Sequence, residues 1–171
     1  MSEPASVAAV VAFGANLGER APTINEAARE LASSPGILSV RLSSLLESVA
    51  VTPAGPSLDE PAYLNAVALV QTTLTPRELL HTALHIEQRF GRVRTQRWAA
   101  RTLDIDIVAY GDSRVSEPDL EIPHPQAANR LFVLAPWLEL DPDASLVGAG
   151  RVADIAAALT ATPTRPAEVA R

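Results

Sequence analysis

The chain has 171 residues, 47% of them hydrophobic, and a formal net charge of −6, long enough for one full core and too short to suggest two. The acidic balance argues against general nucleic-acid binding, which needs a basic face to displace counterions. The absence of cysteine excludes a disulfide framework and a thiolate metal site, and no apolar run approaches the roughly 20 residues that span a bilayer.

No basic segment precedes the first apolar run, so Ser6 to Phe13 reads as a strand and not as a secretion signal. The turn "GANLGER" follows. Thr23 and Glu26 then form a candidate capping box for a helix carrying Ile24, Ala27, Ala28 and Leu31, which "SSPG" stops. Leu38 to Val51 reads as one long strand with imperfect alternation. Thr52 to Pro61, rich in proline and polar residues, reads as an exposed loop. "YLNAVALVQTTL" resumes the strand pattern. The next helix has the clearest start: Thr75 as N-cap, Pro76 at the first helical position and Glu78 closing the box. Its stripe is Leu79, Leu80, Ala83, Leu84 and Ile86, and Gly91 ends it.

An arginine-rich loop, Arg92 to Ala100, leads into a strand from Leu103, then a Gly111-Asp112 turn, "LEIPHP", the short segment "FVLAPW" and a last helix near Val152 to Leu159. The order strand, helix, strand, strand, helix, strand predicts an α+β fold: a ferredoxin-like βαββαβ antiparallel sheet with helices on one face and a small C-terminal extension. Residues 1–160 are expected to form a single domain and 161–171 a frayed tail.

The strand "LDIDIVAY" places Asp104 and Asp106 on one face, their backbones roughly 6.5 to 7 Å apart. The next residues in phase, Val108 and Tyr110, are apolar or aromatic, which suggests a partly covered face where two anions need a cation between them. Hard oxygen ligands favour Mg²⁺ shared with substrate phosphates. All 14 basic residues are arginine, and Arg89, Arg92, Arg94, Arg97 and Arg101 cluster just before the aspartates, suited to bidentate phosphate contact. Carboxylates, metal and guanidinium groups are the parts of phosphoryl transfer. His81 and His85 lack the Glu of a zinc helix and read as a solvated face, whereas His124 in "IPHP" is a functional candidate.

"TP" at Thr52, "YLNAV" from Tyr63, "GRVR" from Gly91, "RW..RTLDIDIV" from Arg97, "IPHP" from Ile122, "NRLFVLAP" from Asn129 and the early "FGANLG" together resemble the 6-hydroxymethyl-7,8-dihydropterin pyrophosphokinase family. The resemblance implies an enzyme of folate biosynthesis that moves the β,γ-pyrophosphoryl group of ATP to the hydroxymethyl of a reduced pterin and releases AMP. It implies that Asp104 and Asp106 hold two Mg²⁺ ions and that Arg92 and Arg101 are transfer residues on a closing loop. It makes Arg94, Arg97, Trp98, Ile107, His124 and Arg130 contacts on the ATP side and Glu87 a nucleotide or loop anchor. The pterin is expected between Tyr63 and Phe132, its edge read by the Asn65 amide, as both donor and acceptor, and by backbone near Thr52, Pro53 and Gly55. The chain departs from the family pattern at Ala15, Gly55, Ala99-Ala100 and Pro125, none of which is a metal ligand. A monomeric, cytoplasmic protein with small-molecule substrates and neither nucleic-acid nor membrane partners is expected. The rival readings are another Mg²⁺-dependent phosphotransferase or nucleotidyltransferase and a non-catalytic ferredoxin-like binding module.

Overall fold

A computed structural model describes residues 2, 4–91 and 103–161, with backbone alone at 51 and 52. Four strands form the main ladder in the order β2 (Ile37–Leu42), β6 (Tyr63–Thr72), β1 (Val7–Ala15) and β7 (Asp104–Tyr110), every neighbour antiparallel, and β3 (Leu46–Ser48) extends the sheet along β6. Strand β1 is an almost unbroken apolar run because it is central and both its faces are covered.

Helices α1 (Arg20–Ala32) and α2 (Pro76–Arg89) pack one sheet face. There Ile24, Ala27, Leu31, Leu79, Ala83 and Ile86 meet Val11, Phe13, Ala68, Val70 and Ile105. Helices α3 (Leu131–Leu140) and α4 (Val152–Ala161) cover the other, through Val133, Leu134, Trp137 and Ala156 on Val10, Val67, Val108 and Ala109. The expectation of helices on one face therefore describes α1 and α2 alone. What reads in sequence as a small C-terminal extension supplies the second layer, because the alternate residues of β1, β6 and β7 are as apolar as their neighbours and need a cover of their own.

Three local expectations need correction. Helix α1 starts at Arg20, a turn before the Thr23–Glu26 pair; Glu19 is its N-cap residue and Thr23 N–H already bonds the Glu19 carbonyl at 3.0 Å. Pro22 falls in the first turn, where its missing N–H costs nothing. The predicted strand from Leu38 to Val51 is three strands, β2, β3 and β4 (Ala50–Thr52). The break is at buried Ser43, whose hydroxyl accepts Val67 N–H at 3.0 Å while its own N–H donates to the Val67 carbonyl at 2.8 Å. A side-chain oxygen thus stands in for a ladder carbonyl and the chain bends without losing the bond. The predicted loop from Thr52 begins with a hairpin, β4 pairing with β5 (Gly55–Ser57), apart from the main sheet. "FVLAPW" lies within α3.

Strands β8 (Val115–Glu117) and β9 (Leu120–Ile122) form a hairpin after β7, and β10 (Ser145–Leu146) pairs with β11 (Gly150–Arg151) before α4. Helix α2 keeps the capping box read from sequence: Glu78 N–H donates to Thr75 Oγ1 at 3.2 Å and Thr75 N–H to Glu78 Oε2 at 2.7 Å. Residues 162–171, most of the expected tail, lie outside the described residues.

Candidate active site

Register across the three central strands lays out one face in rows. Asn65, Gly14 and Asp104 stand in line across β6, β1 and β7; Val67, Ala12 and Asp106 form the next row, and Leu69, Val10 and Ala109 the third. Helix α3 covers the apolar rows through Val133, Leu134 and Trp137. The row nearest the C-terminal end of β1 is the one that carries Asn65 and Asp104, so along the same strands the residues change from apolar to polar.

Gly14 matters here for space. A Cβ on it would lie 3.5 Å from Asn65 Oδ1 and 3.7 Å from Tyr63 Cδ1. Those are ordinary contact distances, and glycine leaves the middle of the row, about 10 Å across at two strand spacings, without a side chain. Gly14, read from sequence as the start of the turn "GANLGER", lies within β1.

The aspartate strand carries a bulge. Val11 pairs with Ile107 but Val10 pairs with Ala109, which leaves Val108 unpaired as an extra residue. Beyond it the phase changes: Tyr110 joins the α1/α2 core and donates its hydroxyl to the Leu74 carbonyl at 2.5 Å. Tyr110 therefore does not share the aspartate face, contrary to simple alternation. The bulged Val108 carbonyl accepts His124 N–H at 2.9 Å and so anchors the "IPHP" loop beside Asp106.

His124 Nε2 stands 3.9 Å from Asp106 Oδ2, and Arg130, just before α3, 3.8 Å from the same oxygen. Burial lowers the His124 pKa, Asp106 opposes that shift and the Arg130 charge reinforces it, so the ring is neutral at pH 7. Gln126 N–H donates to His124 Nδ1 at 3.1 Å, which puts the ring proton on Nε2, facing the carboxylate. The Arg130 guanidinium also lies 5.8 Å from the Phe132 ring centre.

Glu87 is 1% exposed and accepts Ile105 N–H at 2.7 Å. Since β7 is an edge strand, this buried carboxylate secures its outer side between the two aspartates. Ile107 sends its side chain into the α1/α2 core. Tyr63 and Phe132 are half-buried, Phe132 against the α3/α4 core.

Asn65 Nδ2 donates to the Leu46 carbonyl at 3.1 Å and to Ser48 Oγ at 2.8 Å, so both amide protons are used within the protein. The strand beside it is β3, with Leu46 opposite Asn65 and Ser48 opposite Tyr63, while Thr52, Pro53 and Gly55 make the separate β4–β5 hairpin. Nothing in the sequence pattern singled out Ser48. Arg92, Arg94, Arg97, Trp98 and Arg101 lie outside the described residues. His81 and His85 are exposed on α2, as read. Among the described residues no three His, Asp or Glu side chains cluster as a metal cage, and no helix is long and apolar enough to cross a membrane.

Residues 10–142 match the family described as 7,8-dihydro-6-hydroxymethylpterin-pyrophosphokinase. The chain is 43% identical over 135 residues to the 2-amino-4-hydroxy-6-hydroxymethyldihydropteridine pyrophosphokinase of Synechocystis sp., covering 79% of this chain and 67% of that one. It is 39% identical over 140 residues to the enzyme of the same name from Methylorubrum extorquens, covering 82% and 86%. The structure is similar to that of Plasmodium falciparum HPPK-DHPS with pterin and p-hydroxybenzoate, with a TM-score of 0.69 over 92% of this chain. That likeness, at 15% identity, concerns the fold, and the chain spans only 42% of the Plasmodium protein.

Proposed function

The chain belongs to the 7,8-dihydro-6-hydroxymethylpterin-pyrophosphokinase family, and from that premise we propose that it transfers the β,γ-pyrophosphoryl group of ATP to the hydroxymethyl group of 6-hydroxymethyl-7,8-dihydropterin. The pterin oxygen forms a bond to the β-phosphorus, the bond from that phosphorus to the α-phosphate oxygen breaks, and AMP leaves. The hydroxymethyl proton passes to solvent. The observation that carries this reading is the row Asn65, Gly14, Asp104 on one sheet face, with a polar amide at one end and the family's paired aspartates at the other.

The family reading implies Mg²⁺, two ions, and the donor set fits it. Two half-exposed carboxylates on alternate residues, with no third acidic or histidine ligand clustered among the described residues, suit a hard ion that completes its shell with triphosphate oxygens and water. When bound, the metal supplies charge neutralisation along the triphosphate. Asp104 and Asp106 would hold it. Arg130 and the Nε2–H of neutral His124 then offer donors to phosphate oxygens on the same side. Tyr63 and Phe132 would stack the pterin ring. Arg92 and Arg101 take the transfer role, and Arg94, Arg97 and Trp98 the nucleotide contacts. The fold reads as ferredoxin-like, and the row positions the reactants so that a held hydroxyl needs no dedicated base.

Incubation with ATP, Mg²⁺ and the hydroxymethyl pterin, followed by identification of the nucleotide, decides the matter. AMP together with a pyrophosphorylated pterin is expected. ADP or free pyrophosphate would assign the site to a different transfer.

A further inference from the structure

We infer that Ser48 is a positioning residue that limits Asn65 to presenting a single hydrogen-bond acceptor to the pterin ring, an inference that rests on the pyrophosphokinase reading of this row. Asn65 is 5% exposed, and the Leu46 carbonyl and the Ser48 hydroxyl take one proton each from its Nδ2. The Leu46 carbonyl can only accept. A flipped amide would set Oδ1 against that oxygen, so the orientation is determined chemically.

The remaining polar atom, Oδ1, lies 3.5 Å from where a Gly14 Cβ would stand and so faces the middle of the row, where the chain has no side chain. Among the described residues no donor reaches it. A nearly buried acceptor without a donor is costly, and a ligand that brings an N–H to this point removes the cost. The 2-amino group of a 2-amino-4-oxo-pteridine, or the ring N–H beside it, supplies that donor; the 4-oxo group would meet Oδ1 as a second acceptor and be repelled. Ser48 thereby selects, through Asn65, which edge of the ring is admitted. Removing its hydroxyl frees one amide proton and loosens the choice.

The test uses the full chain with Ser48→Ala and Ser48→Thr. In the ligand-free protein, side-chain amide NMR of Asn65 should show both protons protected from exchange in the wild type and in Ser48→Thr, and one of them unprotected in Ser48→Ala. In turnover, Ser48→Ala should raise KM for the pterin about tenfold, the worth of one hydrogen bond, and leave KM for ATP at its wild-type value. It should also lose the wild-type preference for the pterin over an analogue lacking the 2-amino group, and Ser48→Thr should restore it. Ser48→Ala with unchanged amide protection, or with unchanged preference between the two ligands, overturns the inference. A wild type that shows the amide pattern but turns over no pterin refutes the pyrophosphokinase reading and leaves the Ser48–Asn65 orientation standing.

Discussion

That Asp104 and Asp106 share a strand was legible from the alternation of "LDIDIV", and they lie two residues apart on β7. Replacing either with alanine should lower AMP production by about three orders of magnitude or more, since each would hold metal against the transferring phosphates. Far-UV CD and the melting temperature should stay near wild type, because the change also removes like-charge repulsion; near-normal turnover would remove the metal assignment. Glu87 calls for a different experiment. Its carboxylate is 1% exposed and holds the Ile105 N–H between the aspartates. Glu87→Ala leaves that donor buried and unpaired, so urea denaturation should show a loss on the order of 2 to 3 kcal/mol, and Glu87→Gln, which keeps an acceptor oxygen, a smaller one. Equal stability of Glu87→Ala and wild type would leave the carboxylate no part in securing β7. In sequence Glu87 entered only through the family resemblance, as a nucleotide or loop anchor, and only the fold brought it to Ile105.

Elements with their own chemistry in the sequence were read well, and elements set by neighbours were not. Helix α2 announces itself through Thr75, Pro76 and Glu78. The bonds from Thr75 hold the Glu78 carboxyl below its ordinary value of 4.5, so the contribution of the box is present above that value and is lost as pH falls through the lower, folded value. Melting temperatures of wild type and Glu78→Gln from about pH 6 to about pH 3 should therefore converge on acidification, the glutamine being insensitive to pH. A gap that does not change with pH would exclude the box as an acid-sensitive element. Helix α3, by contrast, has no side-chain cap and carries Pro136 inside it. It forms because Val133, Leu134 and Trp137 meet an apolar sheet face, which outweighs the hydrogen bond that proline forgoes. The Val108 bulge is hidden for the same reason: it is a property of the pairing with β1, and it decides both where Tyr110 points and where His124 is anchored.

At the scale of the molecule, two apolar layers share one sheet, so the C-terminal helices are part of its stability. Leu134 is 0% exposed, and Leu134→Ala should cost about 3 kcal/mol. In a Trp98→Phe background, Trp137 fluorescence and far-UV CD should then report one transition at a common, lowered midpoint. Early loss of the fluorescence signal alone would show the α3/α4 layer to be a separately melting addition. The sequence by itself determined strands β1, β6 and β7, helices α1 and α2 with their buried stripes, and the placing of two aspartates on one strand, since each follows from local periodicity. Only the tertiary structure decided that a second layer of helices covers the sheet, that Gly14 stands in line with Asn65 and Asp104, and that Ser48 meets Asn65. Those outcomes depend on which strands pair and in what register, and residues distant along the chain carry no local pattern that records their meeting.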